Sequence, residues 1–177
     1  MRIIAGSRRG VRIVAPRGHD TRPTPDRVRE AAFDLVGPVD GARVLDLYAG
    51  SGAIGLEALS RGAARAVLVE TDRAALAAIE RNLAKLRLAG AEVARENAIA
   101  RVAADSRRAS RYDLVFIDPP YRMLSDALRD LASHLPSVLA EGAVVVVESA
   151  AREEPQLPLA LRTSRRYGST RLTVFDA

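Results

Sequence analysis

The chain has no cysteine, no tryptophan, one lysine (Lys85) among its 27 basic residues, and only two histidines, His19 and His134. Without cysteine there is no disulfide framework and no thiol chemistry. Two histidines without cysteine are a poor basis for a metal site, so no metal is expected, and both histidines are read as surface or capping residues. No apolar run approaches the roughly 20 residues that span a bilayer. The apolar stretch in Met1–Gly6 is too short for a secretory signal. A soluble, cytoplasmic protein with no membrane partner is expected. At 177 residues, with 48% hydrophobic and 28% charged content, a single domain with a substantial core fits.

What is present is arginine, unevenly placed. Residues 1–22 contain Arg2, Arg8, Arg9, Arg12, Arg17 and Arg22 against one acid, Asp20, so this segment carries the whole net charge of +5. Arginine presents a planar set of donors suited to phosphates and base edges. A basic arm on a neutral body points to a polyanionic partner, above all a nucleic acid. The alternative is a solvated tail in an arginine-biased sequence.

Two short apolar stretches, 2–5 and 11–15, flank Gly6-Ser7-Arg8-Arg9-Gly10 and predict a β-hairpin with a basic tip. A Pro-, Gly- and Arg-rich loop follows. Thr24 is placed as N-cap and Pro25 as the first residue of a helix ending at Gly37-Pro38. From Arg43 the pattern alternates. Strands are predicted at 44–48, 66–70, 92–95, 112–117 and 143–148, with helices over 53–61, 73–88, 98–104 and 123–134. A final pair, 159–166 and 171–175, reads as a hairpin around Tyr167-Gly168-Ser169. The fold class is α/β: a mostly parallel seven-stranded sheet of Rossmann-like type with a terminal antiparallel hairpin and an N-terminal β-hairpin extension. The domain reading is an arm and loop over 1–22 and a main domain over 23–177 led by helix 25–36.

Asp46-Leu47-Tyr48-Ala49-Gly50-Ser51-Gly52-Ala53-Ile54-Gly55 follows the first strand, and Gly50, Gly52 and Gly55 make the G-x-G-x-x-G pattern. Such glycines allow a tight turn and close approach of a ligand. Glu70 ends the second strand and can accept hydrogen bonds from ribose hydroxyls. Asp46 separates two nucleotide cofactors, because a carboxylate there repels a dinucleotide pyrophosphate and favours the ammonium and sulfonium of S-adenosylmethionine. Its other role is to hold the loop backbone. Glu57 is expected to face solvent. At the third strand end, Asn97 either contacts adenine or caps the next helix. Candidate cofactor contacts are therefore Asp46, Tyr48, Gly50, Ser51, Gly52, Glu70, Thr71, Asn97, Ala98 and Asp118.

The fourth strand stops abruptly at Asp118-Pro119-Pro120-Tyr121, since proline fixes φ and cannot continue a ladder. In open α/β sheets ligands sit at the carboxyl ends of strands near the switch in strand order. The glycine turn and this corner should thus face one cleft. The corner suits an amine on a flat ring: Asp118 and the Pro119 carbonyl on the nitrogen, Pro120 stiffening the turn, and Tyr121 on the ring face. The plain alternative is a strand-ending turn.

The whole chain resembles the bacterial 16S rRNA guanine-N2 methyltransferases of the RsmD type. The resemblance is carried by Met1–Gly10, Arg22–Glu30, Asp46–Gly52, Leu56–Ala63, Asp118–Tyr121 and Arg166–Leu172. It implies a class I methyltransferase fold and S-adenosylmethionine as cofactor, with S-adenosylhomocysteine as product. It also implies methylation of one guanine of 16S rRNA within the 30S subunit or a late assembly intermediate, by an enzyme expected to be a monomer. Arg2, Arg8, Arg9, Arg12 and Arg22 would grip RNA. Glu96-Asn97 departs from the family's usual glycine-aspartate. Other readings are an adenine-N6 or protein-glutamine methyltransferase, an RNA-binding assembly factor with secondary catalysis, and an NAD-linked enzyme.

Overall fold

A computed structural model of the chain describes residues 1–16 and 25–177. Seven strands form one sheet: β1 Arg43–Leu47, β2 Arg65–Val69, β3 Ala91–Ala94, β4 Tyr112–Ile117, β5 Leu139–Ala150, β6 Ala160–Tyr167 and β7 Thr170–Asp176. Their order is β3-β2-β1-β4-β5-β7-β6, parallel except that β7 runs antiparallel to both β5 and β6. The helices are α1 Asp26–Val36, α2 Ala53–Ser60, α3 Arg73–Leu86, α4 Ala98–Arg107 and α5 Leu124–Ala132. The strand order reverses between β1 and β4, so their carboxyl ends lie side by side, with Leu47 opposite Ile117.

The central strands are buried on both faces, as their continuous apolar sequences require. Leu45, Leu47, Val115, Ile117, Val145 and Val147 pack with α4 and α5. The alternate residues Val44, Leu114, Phe116, Val144 and Val146 pack with α1 and α2. Phe33 of α1 meets Phe116 with ring centroids 5.6 Å apart, and the Arg61 guanidinium lies 4.5 Å from the Phe33 centroid. These contacts hold α1 across the sheet beside the switch point.

The N-terminal segment departs from the expected hairpin. It turns back through a 3₁₀ turn at Gly6–Arg8, but a single bridge, Arg2 to Arg12, replaces the two strands. Ile3, Gly10 and Ile13 still donate across it to the carbonyls of Val11, Ile3 and Met1, and other backbone donors go to the body. The Glu57 carboxylate accepts the N–H groups of Ile4 (2.7 Å) and Ala5 (2.9 Å), and the Ser60 hydroxyl accepts that of Arg8 (2.9 Å). Asn82 both accepts from Val14 N–H (2.8 Å) and donates to its carbonyl (3.0 Å). Ile3 and Ile13 enter the core between α2 and α3. Gly6 is required here, because a Cβ would fall 1.7 Å from the Ser60 carbonyl oxygen. Glu57, expected in solvent, is fully buried and also pairs with Arg61 at 2.8 Å. Burial is tolerable because two backbone donors and a guanidinium satisfy the carboxylate.

α1 begins at Asp26 rather than Pro25, and Thr24 lies outside the described residues. α3 stops at Leu86, before the expected 88, because Arg87 takes a left-handed conformation (φ 50°). No helix among the described residues is long and apolar enough to cross a membrane.

Removing the Glu57 carboxylate strands two amides and one guanidinium. Glu57→Ala is expected to cost about 3 kcal/mol, in the range for breaking a buried pair. In limited proteolysis, cleavage after Arg8, Arg9 and Arg12 should accelerate more than cleavage elsewhere. An unchanged melting curve with unchanged cleavage would contradict this docking role.

Candidate active site

Asp46 is the fourth residue of β1 and faces α2, only 3% exposed. Its Oδ2 accepts the Gly55 N–H at 2.9 Å, inside the first turn of α2. Gly55 admits this contact, since a Cβ would stand 3.1 Å from Leu68 and 3.3 Å from the Asp46 oxygen itself. Gly50 has φ 57°, and its N–H donates to Glu70 Oε2 at 2.8 Å. The other oxygen of Glu70 accepts from Thr71 (2.7 Å) and Asp72 (2.9 Å). Glu70 therefore ties the β1 turn to the end of β2. Ser51 is buried, and its carbonyl accepts from Asn82 Nδ2 at 3.0 Å. Tyr48 is half-buried with φ 64°, a conformation that costs energy for a residue with a side chain and clusters at functional turns.

Electrostatics select what this turn can hold. Burial raises the Asp46 carboxyl to about 7; the Gly55 N–H opposes the rise, while Asp118 and Glu70 add to it. A phosphate would meet three carboxylates here. A nucleoside bearing positive groups fits this donor and acceptor set, with Asp46 and Glu70 as the residues able to hold it.

At the end of β3, the Asn97 oxygen caps α4, accepting from Ile99 (2.8 Å) and Ala100 (3.2 Å). The capping role is thus occupied, and Ala98 behind it is buried. Beneath this turn lies an ionic group that sequence patterning does not single out. Arg101 donates to Asp105 (2.6 Å), Glu92 (2.8 Å) and Glu96 (3.4 Å), and Asp105 accepts from the Tyr112 hydroxyl at 2.6 Å. The one local signal is the Arg101/Asp105 spacing of four.

The Asp118 N–H reaches the Leu47 carbonyl at 3.4 Å, which places the proline corner against the end of β1. Pro119 is buried, Pro120 is exposed, and Tyr121 opens a 3₁₀ turn, 44% exposed. Burial raises the Tyr121 hydroxyl, a hydrogen bond with Thr170 lowers it, and the charges of Glu148, Asp118 and Glu153 raise it further. Thr170 begins β7, so the start of this strand lies beside the corner's tyrosine.

Two residues outside the expected set also border the corner. Ile117 pairs with Val147, so Asp118 and Glu148 are lateral neighbours on β4 and β5. Arg29 of α1, fully buried, lines one cleft with both. An acid at the end of the strand beside the corner strand was the available signal for Glu148.

The basic arm divides by environment. Arg2 pairs with Asp26 at 3.3 Å. Arg8 donates through Nε to the Leu86 carbonyl at 2.6 Å, closing the C-terminal turn of α3. Arg9 and Arg12 are exposed and make no ion pair with any described residue. Arg22 lies outside the described residues. Among the described residues no group of three or more His, Cys, Asp or Glu could hold a metal ion.

The family model described as conserved hypothetical protein 95 matches residues 1–176. The ribosomal RNA small subunit methyltransferase D of Escherichia coli K12 is 42% identical over 152 residues, 84% of this chain and 74% of the relative. A solved hypothetical protein of Thermus thermophilus is 34% identical with a TM-score of 0.86, covering 100% of this chain and 99% of that one. A more distant protein solved in complex with SAH shares the fold, at 15% identity and a TM-score of 0.71, over 85% of this chain and 48% of that one.

The raised Asp46 carboxyl has a consequence for stability. Between the ordinary aspartate range and about 7, the folded chain keeps a proton that the unfolded chain releases. Stability from this group is present at the acid end and lost as pH rises through that window. Melting temperatures of wild type and Asp46→Asn, compared from pH 4 to about 7.5, should show wild type falling relative to the variant. Parallel curves would contradict it.

Proposed function

Because the chain belongs to the conserved hypothetical protein 95 family, that of the RsmD-type rRNA methyltransferases, we propose that it methylates the exocyclic N2 of one guanine in 16S rRNA. The substrate is the 30S subunit or a late assembly intermediate, and the enzyme acts as a cytoplasmic monomer. The observation that carries this reading is the adjacency of two turns: the acidic glycine turn after β1 and the Asp-Pro-Pro-Tyr corner after β4, joined through Leu47 and Asp118.

S-adenosylmethionine, bound at the glycine turn, supplies an electrophilic methyl group on a sulfonium. Asp46 faces its positive groups, Glu70 takes the ribose hydroxyls, and Tyr48, Gly50, Ser51 and Gly52 shape the turn around it. Thr71, Asn97 and Ala98 border the adenine, with Asn97 offering its amide N–H while its oxygen caps α4. A guanine amine is a weak nucleophile because its lone pair is shared with the ring. Asp118 and the Pro119 carbonyl accept its two N–H bonds and bias the nitrogen toward tetrahedral geometry. Pro120 keeps the corner stiff. Tyr121 stacks on the base, worth about 1–3 kcal/mol. The nitrogen bonds to the methyl carbon as the carbon–sulfur bond breaks, and the proton it sheds passes to Asp118 or water. Positioning supplies much of the remaining rate. The base must leave its stack to reach the corner.

The test is transfer of labelled methyl to 30S subunits, followed by digestion and identification of the nucleoside. N2-methylguanosine is expected, with Asp118→Ala slower by about 10²–10⁴-fold. N6-methyladenosine, label on protein, or full activity in the variant would overturn the proposal.

The arm is assigned to phosphate contact through Arg9 and Arg12, with Arg2 and Arg22 as further candidates and Arg8 contributing least because its Nε is engaged by the Leu86 carbonyl. Arg9→Ala and Arg12→Ala should each flatten the salt dependence of RNA binding by about 0.7–0.9 in log–log slope. Arg8→Ala should instead lower stability. Unchanged slopes for the Arg9 and Arg12 variants would show that these two side chains are solvated and contact no phosphate.

A further inference from the structure

Arg29 is fully buried, yet two of its three nitrogens, Nε and Nη1, meet no hydrogen-bond partner among the described residues. The third, Nη2, donates to the Arg2 carbonyl at 2.6 Å and to Asp26 Oδ1 at 2.7 Å. Buried guanidinium donors left unpaired are costly, and such a group in a folded protein calls for a role. Arg29 lines a narrow cleft together with Asp118 and Glu148, between Phe116 and Val146 of the sheet and Val28 of α1. The cleft has room for about 10 Å³, one water's worth. What enters it is therefore a single projecting atom, such as an exocyclic oxygen, while the rest of a ring stays at its mouth.

The polar groups of that cleft are two acceptors on neighbouring strands and one donor on the helix above. The pairing edge of guanine runs amine donor at N2, ring donor at N1, carbonyl acceptor at O6. The corresponding edge of adenine runs amine donor, ring acceptor, then a carbon; that of cytosine runs amine donor, ring acceptor, carbonyl acceptor. Only guanine supplies two donors followed by an acceptor. Asp118 and Glu148 have contacts of their own in the fold, but a carboxylate offers about four acceptor sites, so those contacts do not exhaust them.

We infer that Arg29 and Glu148 read the target base as guanine, Arg29 donating to O6 and Glu148 accepting from N1–H, while Asp118 holds N2. This rests on the proposed guanine-N2 activity and names the residues that give it its base specificity. Flipped bases are commonly identified on this edge. The buried cation also offsets two adjacent carboxylates that would otherwise repel each other across the strand pair.

The experiment uses 30S subunits reconstituted with 16S rRNA carrying either guanine or 2-aminopurine at the methylated position. 2-Aminopurine keeps the N2 amine, lacks O6, and has an acceptor at N1. Wild type should prefer guanine by about 10²-fold or more in kcat/KM, since unpaired buried polar groups reject the analogue. Arg29→Met should lose at least about tenfold of that preference, mainly by slowing on guanine, with Arg29→Lys between the two. Glu148→Gln, whose amide can donate to the N1 acceptor, should shift the preference toward 2-aminopurine even if Arg29→Met fails to fold. Calorimetry with S-adenosylhomocysteine reports whether each variant is folded. Variants that slow both substrates equally would assign Arg29 and Glu148 a structural role and overturn the inference. Wild type that methylates no guanine in unmodified subunits would instead overturn the proposed activity.

Discussion

The register of three parallel strands sets the charge problem around which the active end is built. Asp46 lies near the end of β1, Asp118 directly follows β4, and Glu148 stands beside Asp118 on β5. The period-2 alternation of each strand turns all three toward the same face, the one covered by α1 and α2. Negative charge gathered at one sheet edge under two helices is unfavourable alone. The structure answers it with the Gly55 N–H on Asp46 and the buried Arg29 in the cleft of Asp118 and Glu148. A cofactor bearing a sulfonium and an ammonium completes that answer. The affinity proposed for a cationic methyl donor and the base reading proposed for Arg29 and Glu148 thus have one electrostatic origin.

The N-terminal segment belongs to this arrangement, because its backbone is bound by residues of the site's own helices. Glu57 and Ser60 of α2 hold residues 4, 5 and 8, and Asn82 of α3 holds Val14 while donating to the Ser51 carbonyl of the glycine turn. Arg29 joins the Arg2 carbonyl to the cleft beside the proline corner. The surface assigned to RNA and the turn assigned to the cofactor therefore share side chains. An arm on a flexible tether would seat RNA loosely. A segment fixed by these hydrogen bonds gives the backbone at Arg9 and Arg12 a defined position on the body.

Much of this was legible in the sequence because hydrophobic period and turn chemistry agree locally. Strand β4 matches its predicted bounds, and the glycine turn and proline corner fall where strand ends were expected. Strand β5 runs from Leu139 rather than 143, through Glu141 and Gly142, because pairing with Tyr112 and a register shift carry it past residues that usually punctuate a strand. Glu57 and Arg29 were illegible for a different reason. A charged residue on a helix reads as solvent-facing, and besides Arg61 the partners of Glu57 are backbone amides more than 50 positions away in the chain. Nothing local encodes such a partner. The same holds for the hairpin, which keeps cross-bonds from Ile3 to Val11, Gly10 to Ile3 and Ile13 to Met1 while Ile4, Ala5, Arg8 and Val14 donate to side chains of the body.

The most direct test is a structure of the protein with S-adenosylhomocysteine and its target RNA. The account predicts a guanine turned out of its stack, with N2 within about 3.2 Å of Asp118 and of the Pro119 carbonyl. Its ring should lie on Tyr121, with O6 toward Arg29 and a face of N2 open to the cofactor. A guanine seated elsewhere, or a different base at the corner with Arg29 still unpartnered, would contradict it.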